Sequence, residues 1–217
     1  AGEQTKGRGR RGRDWSSPAD GNIYMSLGLK PEIQPDLAPM MTLIEALAVA
    51  QAVKEQCALD CKIKWPNDVV VSGKKICGIL TEMSAETGYI HYVVIGTGIN
   101  VNETTFSEEI RDTATSLRLE TGEEVMRAPL IAKKCEYFEQ YYKGFLKDGD
   151  LRGLQEDYNA MMVNRDRQVR VLDPKGEFSG IATGINEKGE LLVKKEDGET
   201  VNVFAGEVSV RGVYGYV

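Results

Sequence analysis

Between residues 62 and 95 the chain is a series of short β-prone runs joined by tight turns, which limits the fold more than any other feature. Lys62-Ile63-Lys64 leads through Trp65-Pro66-Asn67-Asp68 into Val69-Val70-Val71. Ser72-Gly73-Lys74 reads as a hairpin turn, residues 76–83 as the return strand, Thr87-Gly88 as a second turn and residues 89–95 as the next strand. Strands linked so closely pair antiparallel, so this stretch predicts a meander. Residues 22–29 read as an earlier strand, ended by Pro31 and Pro35. Met40, Leu43, Ile44, Leu47 and Ala50 recur at helical spacing after Asp36 and Pro39, predicting an amphipathic helix over 37–57.

Further helices are expected downstream. Residues 107–111 and 114–120 read as short ones. Ile131, Cys135, Phe138, Tyr142 and Phe145 form a core-facing stripe, and Leu151, Leu154, Tyr158 and Met161 another. Near residue 163 the texture changes. Val169/Val171, Leu191/Val193, Val201/Val203 and Val208/Val210 alternate, with turns at 173–176, 186–189 and 196–198. The expected class is therefore α+β. A mixed or antiparallel sheet packed by helices occupies 1–162, followed by a small all-β barrel of the SH3 sort over 163–217.

Charge and cysteine use narrow the function classes. The net charge is −6 and the pI near 5.1, which argues against a general polyanion binder. Cys57, Cys61, Cys77 and Cys135 form no CxxC pair, and His91 is the one histidine, so a Cys/His zinc site has little support. Four reduced thiols suit a cytoplasmic protein. No apolar run is read as reaching the roughly 18 residues that span a bilayer, so no membrane partner is expected. The chain opens at Ala1 inside a patterned segment, and a preceding N-terminal portion is expected.

Four segments carry residue types suited to anionic ligands. Gly7-Arg8-Gly9-Arg10-Arg11-Gly12-Arg13 places four arginines among three glycines, following Gln4 and preceding Trp15. Arginine forks bind phosphate and carboxylate, and glycine lets the main chain approach. Composition leaves two readings, a closing small-ligand loop or an RGG-like nucleic-acid segment, and the acidic remainder favours the loop. Lys64-Trp65-Pro66-Asn67-Asp68 presents an amide and a carboxylate at a strand edge, the carboxylate being able to hold Mg²⁺; a structural Asx turn is the alternative. In Lys74-Lys75-Ile76-Cys77-Gly78-Ile79-Leu80-Thr81-Glu82, strict alternation puts Lys75 on one face with Cys77 and Ile79. There it could stabilise developing negative charge, unless both lysines are simply solvated. Gly96-Thr97-Gly98-Ile99-Asn100 lacks the third glycine and helix of a dinucleotide fingerprint, and suggests instead a ligand lying close to a strand.

In this order and spacing, GRGRRGRDW (7–15), KWPND (64–68), KKICGILTE (74–82) and GTGIN (96–100) resemble the biotin protein ligases, and the resemblance spans essentially the whole chain. It implies that biotin and ATP form biotinyl-AMP and pyrophosphate, and that biotin then passes to a lysine of a biotin carboxyl carrier protein. It implies a biotin site of Gln4, Arg8, Gly9, Arg10, Lys75, Gly78, Leu80 and Gly98. It implies a nucleotide site of Arg11, Arg13, Trp15, Asn67, Asp68, Asn100 and Arg211, with Gly12 in the closing loop and Gly96 in the floor. Lys75 and Arg10 are the implied catalytic side chains, and Asp68 the implied Mg²⁺ ligand. A homodimer is implied too, and DNA binding only where an N-terminal helix-turn-helix exists. The family also has an earlier strand and helix that help hold biotin, which this chain would lack; an inactive fragment is thus one alternative. A lipoate or octanoate ligase, expected to lack the paired GRGRRGR and KWPND segments, is another. A nucleic-acid module is a third.

Overall fold

Glycine turns and valine-rich runs give two antiparallel five-stranded sheets. The computed structural model describes residues 1–19, 21–173, 176–205 and 209–212. In the first sheet, β1 (Ile23–Leu29), β2 (Lys62–Lys64), β3 (Asp68–Val71), β4 (Lys74–Glu86) and β5 (Tyr89–Ile99) lie in the order β1-β5-β4-β3-β2. Every neighbouring pair is antiparallel, so the sheet is a meander closed by the return of β5 onto β1. Between β3 and β4, Ser72 and Gly73 both take positive φ, 51° and 76°, the twist that suits a two-residue hairpin. β5 runs on to Ile99, beyond the expected strand end, and takes Gly96 and Gly98 into the sheet.

Helix α1 (Met40–Cys57) packs between this sheet and helix α3 (Arg127–Asp148). Thirteen of its 18 residues are buried, so it is apolar around most of its circumference and not the expected amphipathic helix. Covered on both sides, it can dispense with a solvent face. It also corrects the expectation that no apolar run is long enough for a bilayer. Residues 35–57 pass that test by length and composition, yet 78% of the apolar window is buried inside the protein. The predicted α3 stripe is also displaced. Leu130, Lys134, Phe138, Tyr141 and Phe145 are buried, whereas Ile131, Cys135 and Tyr142 are half-exposed. Residues 107–111 form turns rather than a helix, and the next helix, α2 (Leu117–Thr121), is capped by Ser116, whose Oγ accepts from Leu119 N–H.

After α4 (Gln155–Met161) comes the second sheet: β6 (Arg167–Leu172), β7 (Phe178–Ile185), β8 (Leu191–Lys194), β9 (Thr200–Val203) and β10 (Ser209–Gly212), ordered β10-β6-β7-β8-β9. The expected barrel does not close: among the described residues β9 and β10 are unpaired edges. Val169, Val171, Leu191, Val193, Val203 and Val210 do face inward; Pro174, Lys175 and Val208, which also entered the pattern, lie outside the described residues.

The two sheets meet at Trp65. Its indole N–H donates to Gly189 O at 3.0 Å and its main-chain N–H to Asn164 Oδ1 at 3.1 Å, while Val163 N–H donates to Ile63 O. Gly189 has φ 74°, and a Cβ there would lie 2.9 Å from Leu43 and 3.1 Å from Leu151, so only glycine fits. The KWPND segment is therefore anchored between the sheets.

Candidate active site

An irregularity in the strand pairing decides where Lys75 points. Val69 pairs with Cys77, but the next residue, Val70, pairs with Lys75, leaving Ile76 as an extra residue in β4. Side-chain parity therefore changes across the bulge. Cys77 and Ile79 face the core at 0% and 2% exposure, and Lys75 does not join them as strict alternation predicted. Its Nζ lies 3.1 Å from where a Cβ on Gly78 would sit, on the sheet's other face. Lys75 Nζ pairs with Asp68 Oδ1 at 2.7 Å. Its main chain is fixed as well: Lys75 N–H donates to Thr113 O at 2.8 Å, and Thr115 N–H donates to Lys75 O at 2.9 Å.

The Gly/Arg segment folds back over this face. Trp15 N–H donates to Gly7 O at 3.0 Å and Gly9 N–H to Arg13 O at 2.7 Å, around a turn in which Arg11 and Gly12 take φ 59° and 70°. A Cβ on Gly7 would sit 2.2 Å from Trp15 O, so the fold-back requires glycine there. It delivers the Trp15 indole onto Gly78 and Gly98, which are cross-strand partners. Added Cβ atoms would meet the ring at 2.7 and 2.5 Å respectively. Lys75 Nζ lies 5.2 Å from the indole centre, a cation–π distance. The close approach expected at the glycines is thus made in this structure by the protein's own tryptophan.

Arg10 spans the site. It donates to Asn67 Oδ1 at 2.9 Å and, across to the second sheet, to Ala205 O at 2.8 Å, while Asn67 Nδ2 donates to Ile79 O. Burial lowers the Arg10 pKa, and Asp68 partly offsets that. A guanidinium so placed still carries its charge.

Two cavities flank Trp15. The larger, about 710 Å³, is lined by Arg11, Arg13, Asp68, Asn100 and Arg211 among others. The smaller, about 280 Å³, is lined by Gln4, Arg8, Gly78, Leu80, Gly96 and Gly98. Gly9, Arg10, Trp15, Asn67 and Lys75 line both. The sequence-selected residues thus gather in one region, although their positions differ in kind. Arg8 is exposed at the rim, paired with Glu82 at 3.4 Å. Asn100 is buried, its amide donating to Thr115 O. Gln4 Oε1 accepts from Ser17 Oγ at 2.7 Å.

Sequence reading gave no role to Lys64. It is 4% exposed, lines the larger cavity, and burial pulls its pKa down to about 8 against the opposing pull of Asp68. Its place in KWPND was the available signal; its burial was not visible. Residues 105–114, with Phe106 and Ile110, wall the same cavity and carried no sequence signal. They arrive through the main-chain bonds to Lys75.

Comparison with known proteins agrees with this geometry. Residues 1–100 match the Biotin/lipoate A/B protein ligase family, and residues 166–211 the Biotin protein ligase C terminal domain. The Biotin–[acetyl-CoA-carboxylase] ligase of Paracoccus denitrificans is 32% identical over 97% of this chain and 88% of its own length. The chain belongs to the biotin protein ligase family. A longer relative, the bifunctional ligase/repressor BirA of Bacillus subtilis, is 40% identical over 91% of this chain, which spans only 61% of that protein. The biotin protein ligase of Aquifex aeolicus, solved with biotin and ATP, superposes with a TM-score of 0.87 at 33% identity, covering 97% of this chain and 87% of that one.

Proposed function

We propose that this chain is a biotin–protein ligase acting through biotinyl-AMP. The observation that carries the reading is the meeting of two cavities of different size at one ion-paired lysine, Lys75. In this reading the smaller cavity takes biotin. Its rings lie along the strand face of Gly78, Leu80 and Gly98, bounded by the Trp15 indole already packed on the two glycines, beside Gln4, Arg8 and Gly9, with the carboxylate toward Lys75 and Arg10. The larger cavity takes ATP: Trp15 packs near the adenine, Asn67 and Asp68 face the phosphates, and Arg11, Arg13, Asn100 and Arg211 complete the wall.

The chemistry follows from charge. A biotin carboxylate oxygen attacks the α-phosphorus and the bond to the β-phosphate breaks, releasing pyrophosphate. Two anions must approach, and Lys75 and Arg10 offset their repulsion from positions already fixed by Asp68, Asn67 and the 113–115 main chain. The ε-amine of the carrier lysine then attacks the acyl carbon, the bond to phosphate oxygen breaks, AMP leaves and the amine loses a proton. The arginine loop limits water access to the mixed anhydride between the steps.

Mg²⁺ belongs to the same reading. Asp68, whose Oδ1 is paired with Lys75, would be the carboxylate to hold it, since Mg²⁺ usually takes only one or two from the protein, and the ion would supply positive charge at the phosphates; no group of three His, Cys, Asp or Glu gathers among the described residues. The partner is a biotin carboxyl carrier protein domain. A homodimer, an SH3-like relationship for the second sheet and a cytoplasmic site, in keeping with four free thiols, complete the proposal. Repression of transcription would require a helix-turn-helix outside residues 1–217. A lipoate or octanoate ligase is less well supported, since relatives named as biotin ligases match across both sheets.

Isothermal titration with a stable biotinyl-AMP analogue tests the reading. Wild type should bind tightly, and Lys75→Ala and Arg10→Ala should each bind at least tenfold more weakly. No binding by wild type, either as this chain or as the full-length protein, overturns it.

A further inference from the structure

The site described so far does not use the most deeply buried charges among the described residues. Glu45 of α1 and Lys134 of α3 are 0% and 2% exposed, and Lys134 Nζ meets Glu45 Oε1 at 2.6 Å. The same Oε1 accepts the hydroxyl of Thr97 of β5 at 2.5 Å. One carboxylate oxygen thus ties together two helices and a strand. The surroundings are apolar, with Phe138 beside the Lys134 ammonium. Buried ion pairs of this kind are often no more stabilising than apolar side chains of the same volume. Stability alone is therefore a poor reason for one here.

The position of Thr97 offers a better reason. It lies between Gly96 and Gly98, and adjacent strand residues point to opposite faces. Gly96 and Gly98 turn a face without side chains toward the smaller cavity; their main chain is paired within the sheet on both sides, to Ser26 and Tyr24 of β1 and to Leu80 and Gly78 of β4, so what they lack is a side-chain tie perpendicular to the sheet. Thr97 turns the other way, toward α1 and α3, and its hydroxyl is the polar group in this three-residue stretch that reaches past the sheet. Ile95 and Ile99, on the same face, make only apolar contacts, which tolerate small slips.

We infer that Glu45, held by Lys134, is a positioning residue that acts through Thr97 to fix the Gly96–Gly98 floor, and with it the Trp15 indole packed on Gly98, which together bound the small ligand of the adjoining cavity. The ligand's identity as biotin rests on the proposed function; the fixing of the floor does not. Shape complementarity to a rigid bicyclic ligand is lost when the floor shifts by a fraction of an ångström. The nucleotide, held chiefly by the wall across Trp15, is affected much less.

Three variants and three readouts test this. Thr97→Val removes the hydroxyl at nearly constant volume. Glu45→Met combined with Lys134→Met removes the acceptor and both charges together, so no lone buried charge remains. Each should raise the KM for biotin roughly tenfold, the scale of one hydrogen bond to a charged group, with kcat and the KM for ATP within twofold of wild type. Thr97→Ser should restore wild-type behaviour. Hydrogen exchange of a peptide spanning residues 94–100 should quicken about tenfold in both variants, while the melting temperature of the double variant stays equal to wild type or rises. A merely structural triad would instead lower the melting temperature and leave the biotin KM and the local exchange alone; that pattern overturns the inference. If wild type binds no biotin, the ligase reading fails, yet exchange at 94–100 still decides whether the triad holds the floor.

Discussion

Replacing Gly98 with alanine isolates the contact on which the site is built. A Cβ at this position would stand 2.5 Å from Trp15 Nε1 and Cε2 and 2.8 Å from Cζ2. Carbon atoms in contact prefer about 3.5–4 Å, so the indole must retreat by about 1 Å. It cannot do so freely, because the Trp15 main chain is fastened to Gly7 O and a shift of the ring changes its contact with Lys75. Overpacking of this size costs about 1–3 kcal/mol. Because the indole lines both cavities, its displacement should weaken binding of the adenylate by about 5- to 150-fold. Titration calorimetry with the biotinyl-AMP analogue measures it. Gly96→Ala supplies the contrast, since its Cβ would meet no protein atom nearer than Leu80 O at 3.5 Å and should leave Trp15 where it is; any loss it causes comes from the methyl group entering the smaller cavity and should be unchanged by Trp15→Ala. A cycle with Trp15→Ala separates the causes: without the indole, Gly98→Ala should add little further loss. Equal losses with and without Trp15 would mean that the methyl group strikes the ligand directly, and the reasoning about the tryptophan would be refuted.

Other consequences can be measured on the same protein. Lys64 has a pKa near 8 in the fold against an ordinary 10.5, so its charge is carried below pH 8 and lost as the pH rises through 8. ATP affinity should therefore weaken between pH 7 and 9.5 in wild type, and should be weaker but flatter in Lys64→Met; parallel profiles would remove Lys64 from the nucleotide site. The sign for stability is opposite. Charging this buried amine opposes folding below pH 8, and that penalty is relieved between about 8 and 10.5, so Lys64→Met should be stabilised most at the lower pH in urea titrations. Trp65→Phe keeps most of the ring volume but leaves Gly189 O without its indole donor, and should lower stability by about 1–3 kcal/mol in denaturant unfolding. Asp68→Asn loosens Lys75 and removes the proposed Mg²⁺ ligand, so single-turnover formation of biotinyl-AMP should fall at least tenfold while biotin affinity changes much less. An unchanged rate would dismiss Asp68 from the chemistry.

Much of the site could be read along the chain because its parts are contiguous. The glycines and arginines of 7–13 require an unusual loop wherever they fall, and Ser72-Gly73 requires a hairpin. GTGIN announces a bare strand face, and the structure places Trp15 upon it. The orientation of Lys75 could not be read so. Alternation is a local rule, and the extra residue at Ile76 depends on how β4 pairs with β3. The roles of residues 105–114 were equally out of reach, because their place beside Lys75 comes from main-chain bonds across nearly forty positions, to which side-chain chemistry contributes nothing visible.

Most elements were legible locally: valine-rich runs between glycine turns become antiparallel strands, and apolar residues at helical spacing become the long helices, because propensity, turn geometry and periodicity act over a few residues; the short 107–111 stretch, which forms turns, is the exception. What covers what is a matter of long-range packing. That packing buries α1 nearly all round by placing α3 against it, draws Lys134 into the core to meet Glu45, and leaves the second sheet open at β9 and β10 among the described residues. Burial, register and the pairing of distant charges are properties of two surfaces in contact, and neither surface records its partner in its own stretch of chain.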